Sequence, residues 1–244
     1  MDPFAPETFG ELNAHDYDER NDPGTTAEEV ALIREMAGNG RVLELAIGTG
    51  RVAIPLSQAG VDITGIEASQ LMVDRMREKP GGKDIPVIIG DMAKVAVDGS
   101  FDLAFLVFNT IFNLQSQEEQ IHCFENTSKH LKPGGTFLVS AFVPDFGSFQ
   151  NNQQVGIRHM ARDSVWLDTC RHDPAGQLLE FQRVKVTESG LRLVPLRLRY
   201  IWPAEMDLMA RMAGLVLKDR WAAWDRSKFG PDSKMHVSVY EKRT

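Results

Sequence analysis

Between residues 43 and 51 the chain reads LELAIGTGR, an apolar run of strand length that carries one carboxylate, Glu44, and opens onto Gly48 and Gly50. Gly48-Thr49-Gly50-Arg51-Val52-Ala53 satisfies the GxGxxG/A spacing, in which missing side chains let a cofactor approach the backbone of a strand-to-helix turn. Glu67 stands downstream where an acid can bind ribose hydroxyls. In Ile88-Ile89-Gly90-Asp91-Met92, Asp91 closes a further apolar run; it can accept an adenine amino group while the Met92 backbone N–H meets a ring nitrogen.

Two cofactor classes use such a turn, and charge separates them. A nicotinamide dinucleotide carries a diphosphate, which favours the positive end of a helix and disfavours adjacent carboxylates. S-adenosylmethionine has no phosphate but bears an ammonium and a sulfonium. Glu44 would repel the first and suit the second. Glu44, Glu67 and Asp91 together therefore predict a cationic nucleoside cofactor, with the glycines admitting its methionine part.

The elements that must position these residues follow from periodicity. From residue 25, helix signals alternate with short apolar runs, the pattern of a parallel sheet covered on both faces. Thr26 with Glu29 reads as a capping box for a helix over Ala27 to Ala37, with Gly38 ending it in the left-handed conformation. Strands are expected at Arg41 to Ala46, Val61 to Ile66, Ile85 to Ile89, Phe101 to Val107 and Thr136 to Ala141. The helix after the glycine turn runs to about Ala59, with Pro55 set too deep for the first-turn slot and distorting its start. Ser69 caps one helix, and Ser116 with Glu119 boxes another that ends near Leu131. After Phe142 comes a polar connection, PDFGSFQNNQQ. Ser164 to Arg171, Leu178 to Thr187 and Leu191 to Trp202 then read as a small antiparallel meander. Pro203 starts a helix closed by Gly214, and strands at Leu215 to Trp221 and His236 to Glu241 finish the sheet.

The 244 residues are 43% hydrophobic and carry a net charge of −7, which disfavours a broad grip on nucleic acid or anionic lipid. Cys123 and Cys170 have no CxxC spacing, and the six histidines no HxxxH or HExxH spacing, so neither a disulfide framework nor a metal site is expected. The first residues lack a basic start followed by an apolar segment, and no run of eighteen apolar residues occurs; a soluble, cytoplasmic protein is expected.

At these motifs the sequence resembles the class I S-adenosylmethionine-dependent methyltransferases. ELAIGTGR is similar to their first motif, GIEAS with Glu67 to their ribose motif, GDM to their adenine motif, FDLAFLVFNTIFNL to their fourth strand, and LKPGGTFLVS to the turn into their fifth. The resemblance covers residues 40 to 142 firmly. It implies a Rossmann-like α/β fold, a seven-stranded mostly parallel sheet with helices on both faces, a last strand running antiparallel, and an antiparallel β insertion after strand five. It implies cofactor contacts from Tyr17, Arg20, Glu44, Ala46, Gly48, Gly50, Arg51, Glu67, Ala68, Met72, Asp91, Met92, Phe108 and Asn109. Residues 1–24 are then an arm closing over the site, 25–149 with 203–244 the cofactor-binding core, and 150–202 an acceptor-side insertion.

More loosely, the arrangement after strand five resembles bacterial enzymes that tailor natural products, which implies a small-molecule acceptor methylated at nitrogen or oxygen by in-line displacement, without a metal. Positioning and water exclusion carry such a transfer, so no catalytic motif is required. Tyr17, Asn113 and His159 are the catalytic candidates, with Asn109, Arg158 and Trp166 as further acceptor contacts; for each, a structural or solvated role is the plain alternative. A peptide acceptor, or a protein that binds the cofactor without transferring methyl groups, are the competing functions. Phe108-Asn109-Thr110-Ile111 replaces the [DN]PP[YFW] motif of amino-methylating DNA enzymes, against a nucleic-acid partner. An exposed edge in the insertion could serve a homodimer.

Overall fold

The computed structural model describes Gly10, Ala14, residues 17–20 and residues 23–243. In chain order the elements are α1 (Tyr17–Arg20), α2 (Thr26–Ala37), β1 (Val42–Leu45), α3 (Ala53–Gln58), β2 (Ile63–Glu67), α4 (Gln70–Arg77), β3 (Val87–Ile89), β4 (Phe101–Leu106), α5 (Gln117–His130) and β5 (Leu131–Phe142). There follow β6 (Gln153–Met160), β7 (Ser164–Asp173), β8 (Leu178–Thr187), β9 (Gly190–Arg199), α6 (Pro203–Met212), β10 (Leu215–Trp221) and β11 (Met235–Lys242).

Seven strands form a sheet in the order β10-β11-β5-β4-β1-β2-β3, and β11 alone runs against the others. Every residue of β1 and β2 is buried. Coverage on both faces explains why these strands read as near-continuous apolar runs, with Glu44 the exception in β1. From β1 the chain winds outward through β2 to β3, then returns to place β4 on the other side of β1. That reversal leaves a crevice at the carboxyl ends of β1 and β4, where open α/β sheets bind ligands.

Local chemistry sets the element ends. Ser116 accepts the Glu119 N–H at 3.1 Å while Glu119 reaches back to the Ser116 N–H, the reciprocal box expected. Ser69 accepts from Met72 N, at a long 3.4 Å. The box expected at Thr26 does not form: Thr25 is the cap, one residue earlier, and its hydroxyl donates to the Glu29 carboxylate at 2.8 Å instead of satisfying a backbone donor. Gly38 takes a positive φ of 53° but a ψ of −119°, outside the left-handed helical region. Pro55 lies within the first turn of α3, where its missing N–H costs nothing.

The remaining strands form a separate antiparallel sheet in the order β6-β7-β8-β9. β6 corrects the sequence reading, which placed part of it in a polar connection. It is an edge strand, irregular between Ile157 and His159, and it buries no residue. The sheet's inner face sends Cys170, Leu179 and Leu198 into the main core, while Val155, Ile157, Met160, Leu191 and Leu193 stay exposed. A buried polar knot ties β9 to the helices beneath. Arg199 donates to Gln120, to Glu205 at 2.9 Å and to Gln177 at 3.1 Å, and Gln120 returns a bond to the Arg199 carbonyl at 2.8 Å. The antiparallel sheet is thereby held over the crevice.

Candidate active site

Between the crevice and the antiparallel sheet lies a cavity of ≈ 420 Å³. Of the predicted cofactor residues, Tyr17, Ala46, Gly48, Glu67, Ala68, Met72, Asp91, Met92, Phe108 and Asn109 line it, joined by the acceptor candidates Asn113 and Arg158.

Gly48 has φ +58°, and a Cβ added there would meet only the Met72 methyl at 3.6 Å and the Ala46 carbonyl at 3.9 Å. Its missing side chain therefore leaves room that belongs to the cavity. Gly50 is different: with φ +78°, a Cβ would fall 2.7 Å from Met76 and 3.0 Å from Ile54. Gly50 serves helix packing against the turn and does not line the cavity. Glu67, at the end of β2, accepts the Gly48 N–H at 2.8 Å on one oxygen and the Ser69 N–H at 2.9 Å on the other. Each oxygen keeps a second lone pair. Burial pushes the Glu67 carboxyl above its ordinary value, and the backbone donors pull it back. Asp91 is half-buried, accepting the Ala93 N–H at 2.9 Å and facing Lys94 at 3.0 Å.

Glu44 corrects the expected row of carboxylates. It is buried behind the wall rather than on it, with one oxygen lacking a partner. Burial holds its carboxyl well above the usual carboxylate range, with Arg51 opposing the shift and Glu29 and Glu67 adding to it. Arg51 also turns away: it pairs with buried Glu29 at 2.8 Å and Thr26 at 2.7 Å, its guanidinium lies 5.4 Å over the Phe108 ring, and it lines a neighbouring cleft. The Arg20 side chain lies outside the described residues. Short α1 docks on the glycine turn because Asp18 accepts from the Thr49 hydroxyl at 2.5 Å and faces Lys79 at 2.6 Å. This brings Tyr17 to the cavity mouth. Burial pushes its phenol up to about 12.

Past β4, Phe108 and Asn109 both adopt positive φ, 61° and 64°, as does Ala46 at 53° past β1. Non-glycine residues in this region mark over-determined turns at functional sites. The Asn109 side-chain oxygen is committed, accepting the Phe142 N–H at 2.6 Å. The oxygen thus ties the loop to β5, while the amide donors stay available beside the cavity. Asn113 ends the 3₁₀ turn Thr110–Asn113, and Gln115 donates to the carbonyls of Asn113 and Arg197 at 2.7 and 2.9 Å, joining the turn to β9.

His159 and Trp166 face each other at 6.1 Å and line no part of the cavity. The sequence reading did not single out Arg183, Pro195, Leu196, Arg197 and Leu198, all cavity-lining. Arg183 was findable, because it lies two residues from core-packed Phe181 on β8 and so shares its inward face. Among the described lining residues, every acid belongs to the seven-stranded sheet's rim, and every cation to the antiparallel sheet. Among the described residues no group of three His, Cys, Asp or Glu side chains could hold a metal ion.

A methyltransferase-domain family profile matches residues 42–135. The cypemycin N-terminal methyltransferase of a Streptomyces species is 30% identical over 83% of this chain and 83% of its own length. The CcbJ methyltransferase of Streptomyces caelestis is 37% identical, covering 98% of this chain and 100% of its own, with a TM-score of 0.93. The chain belongs to the S-adenosylmethionine-dependent methyltransferases. A likeness in fold extends to S-adenosylmethionine-bound CalS10, an amino pentose methyltransferase of Micromonospora echinaspora, at 18% identity, 93% and 95% coverage and a TM-score of 0.70. For this methyltransferase the cofactor fits the cavity's chemistry: the rim offers acceptors and a glycine cradle, with no cation on that wall among the described residues.

Proposed function

We propose that this enzyme methylates an amine nitrogen of a small-molecule acceptor, and that the acceptor enters between the Asn113 turn and β6 to β9. Residues 25–149 and 203–244 then hold the cofactor, residues 150–202 cover the acceptor, and the segment around Tyr17 closes the mouth. Glu67 receives ribose hydroxyls, Asp91 the adenine amino group, and the Gly48 turn the methionine portion. The cofactor supplies a methyl group made electrophilic by the sulfonium.

One observation carries the choice of nitrogen: among the described residues, the acceptor end of the cavity has no general base. Among the described lining residues the titratable groups are Tyr17, Glu67, Asp91 and three arginines. Glu67 and Asp91 sit on the cofactor wall, and a phenol raised to about 12 is neutral at physiological pH. A hydroxyl acceptor would gain from a general base that these walls do not offer, whereas an amine needs only its free lone pair. The nearby arginines help, since like charge lowers the pKa of an ammonium and raises the free-amine fraction. What remains for the chain is alignment and exclusion of water, roles suited to Tyr17, Asn113 and the apolar residues Leu114, Leu196 and Leu198.

One relative's name points to nitrogen. The cypemycin N-terminal methyltransferase supports a second reading, in which the amine terminates a peptide. Release of S-adenosylhomocysteine should be followed with amines, their hydroxyl counterparts and short peptides. Turnover of amino compounds but not hydroxyl counterparts supports nitrogen transfer, and turnover of hydroxyl compounds alone contradicts it; preference for peptides selects the second reading.

A further inference from the structure

The acceptor wall holds more positive charge than its own ion pairs use. Arg158 on β6 and Arg183 on β8 reach the cavity from neighbours of β7, and both pair with one carboxylate, Asp168 on β7. The Arg158 contact is 3.2 Å and the Arg183 contact 3.4 Å. Two guanidiniums on one carboxylate leave a formal charge of +1. The Arg183 contact lacks hydrogen-bond geometry, and its buried Nε–H has no hydrogen-bond partner among the described residues. Arg183 is about three-quarters buried by side-chain area, at 27% exposed, so water meets few of its donors. Burial, together with the like charge of Arg158, loosens its hold on its proton. An unspent guanidinium facing a cavity is costly unless something anionic completes it.

We infer that Arg158 and Arg183 form a binding site for an anionic group of the acceptor, a carboxylate or phosphoryl group, at the end of the cavity opposite Glu67 and Asp91. The inference rests on the proposed acceptor site. Guanidinium forks match both anion geometries, and such charge-assisted bonds are the strong ones. The opposed walls would orient the two reactants: the cationic cofactor toward the acid rim, the anionic acceptor toward the arginines, with the reacting nitrogen between.

The test uses the full chain saturated with S-adenosylhomocysteine, titrated at constant ionic strength with inorganic phosphate and with acetate against a chloride control. Wild type should bind one of the two anions saturably, and that one identifies the group. Arg183→Gln should weaken the binding by about tenfold or more and Arg158→Gln by less, both with an S-adenosylhomocysteine Kd within about twofold of wild type. That unchanged Kd also shows the variants to be folded. Isotherms that superimpose on wild type in both variants, or no saturable anion binding by the loaded protein, overturn the anion site. Failure of wild type to bind S-adenosylhomocysteine would overturn the proposed function itself.

Discussion

The two walls of the cavity are built by opposite means. The seven-stranded sheet offers its rim through backbone geometry: Ala46, Gly48, Phe108 and Asn109 all hold positive φ, and Glu67 clamps the Gly48 N–H. The antiparallel sheet offers side chains from its strands: Arg183 from regularly paired β8, and Arg158 from the irregular step of β6. The first wall is set by main-chain geometry and is acidic; the second is set by side chains and is basic. A fixed cofactor and a variable acceptor call for such a division.

The comparison can be broken outright at the joint. Arg199→Ala would remove the guanidinium from buried Gln120 Oε1 and half-buried Glu205, and should cost about 3 kcal/mol in urea unfolding. A loss under about 1 kcal/mol would mean that the knot does not hold the second sheet in place. Gly48→Val tests the first wall alone. A β-branched side chain at φ +58° must both strain the turn and enter the cavity, so S-adenosylhomocysteine affinity should fall by about 100-fold or more, read by titration calorimetry, with the circular dichroism spectrum retained. Normal affinity would remove this glycine from the cofactor surface.

Glu67→Gln is a finer probe: it loses the charge and turns an NH2 toward either the Gly48 or the Ser69 N–H, keeping one acceptor. Cofactor affinity should weaken by about 1.5–3 kcal/mol, the size of a hydrogen bond to a charged group. The smallest effect belongs to Tyr17. Burial favours its neutral form, so ionisation sets in only as pH rises toward about 12 instead of about 10. Tyr17→Phe should therefore leave the shape of the kcat/KM profile unchanged between about pH 7 and 10. Loss of a basic limb in the variant would assign Tyr17 a proton-transfer role.

Legibility in the sequence divided along the same line. The Ser116–Glu119 box was readable because it is fixed by neighbours within a few residues, and the glycine turn was readable as a turn because its spacing is local. Glu44 was misplaced because its strand is buried on both faces, so alternation carries no information about which side meets the cavity. Thr25 and Thr26 are chemically equal as caps, and their hydroxyls are taken by Glu29 and Arg51, the latter a partner no local pattern could show. β6 escaped because an edge strand with polar residues and Gly156 lacks an apolar period. Arg183 and Arg158 converge only through the pairing of β6, β7 and β8, a register the sequence does not spell out.

The division of labour between the walls is tested most directly by hydrogen exchange with and without S-adenosylhomocysteine. Protection should concentrate at residues 46–50, 67–69 and 90–93, with the strands β6 to β9 exchanging as before. Protection confined to β6 to β9, with the glycine turn unchanged, would contradict the account.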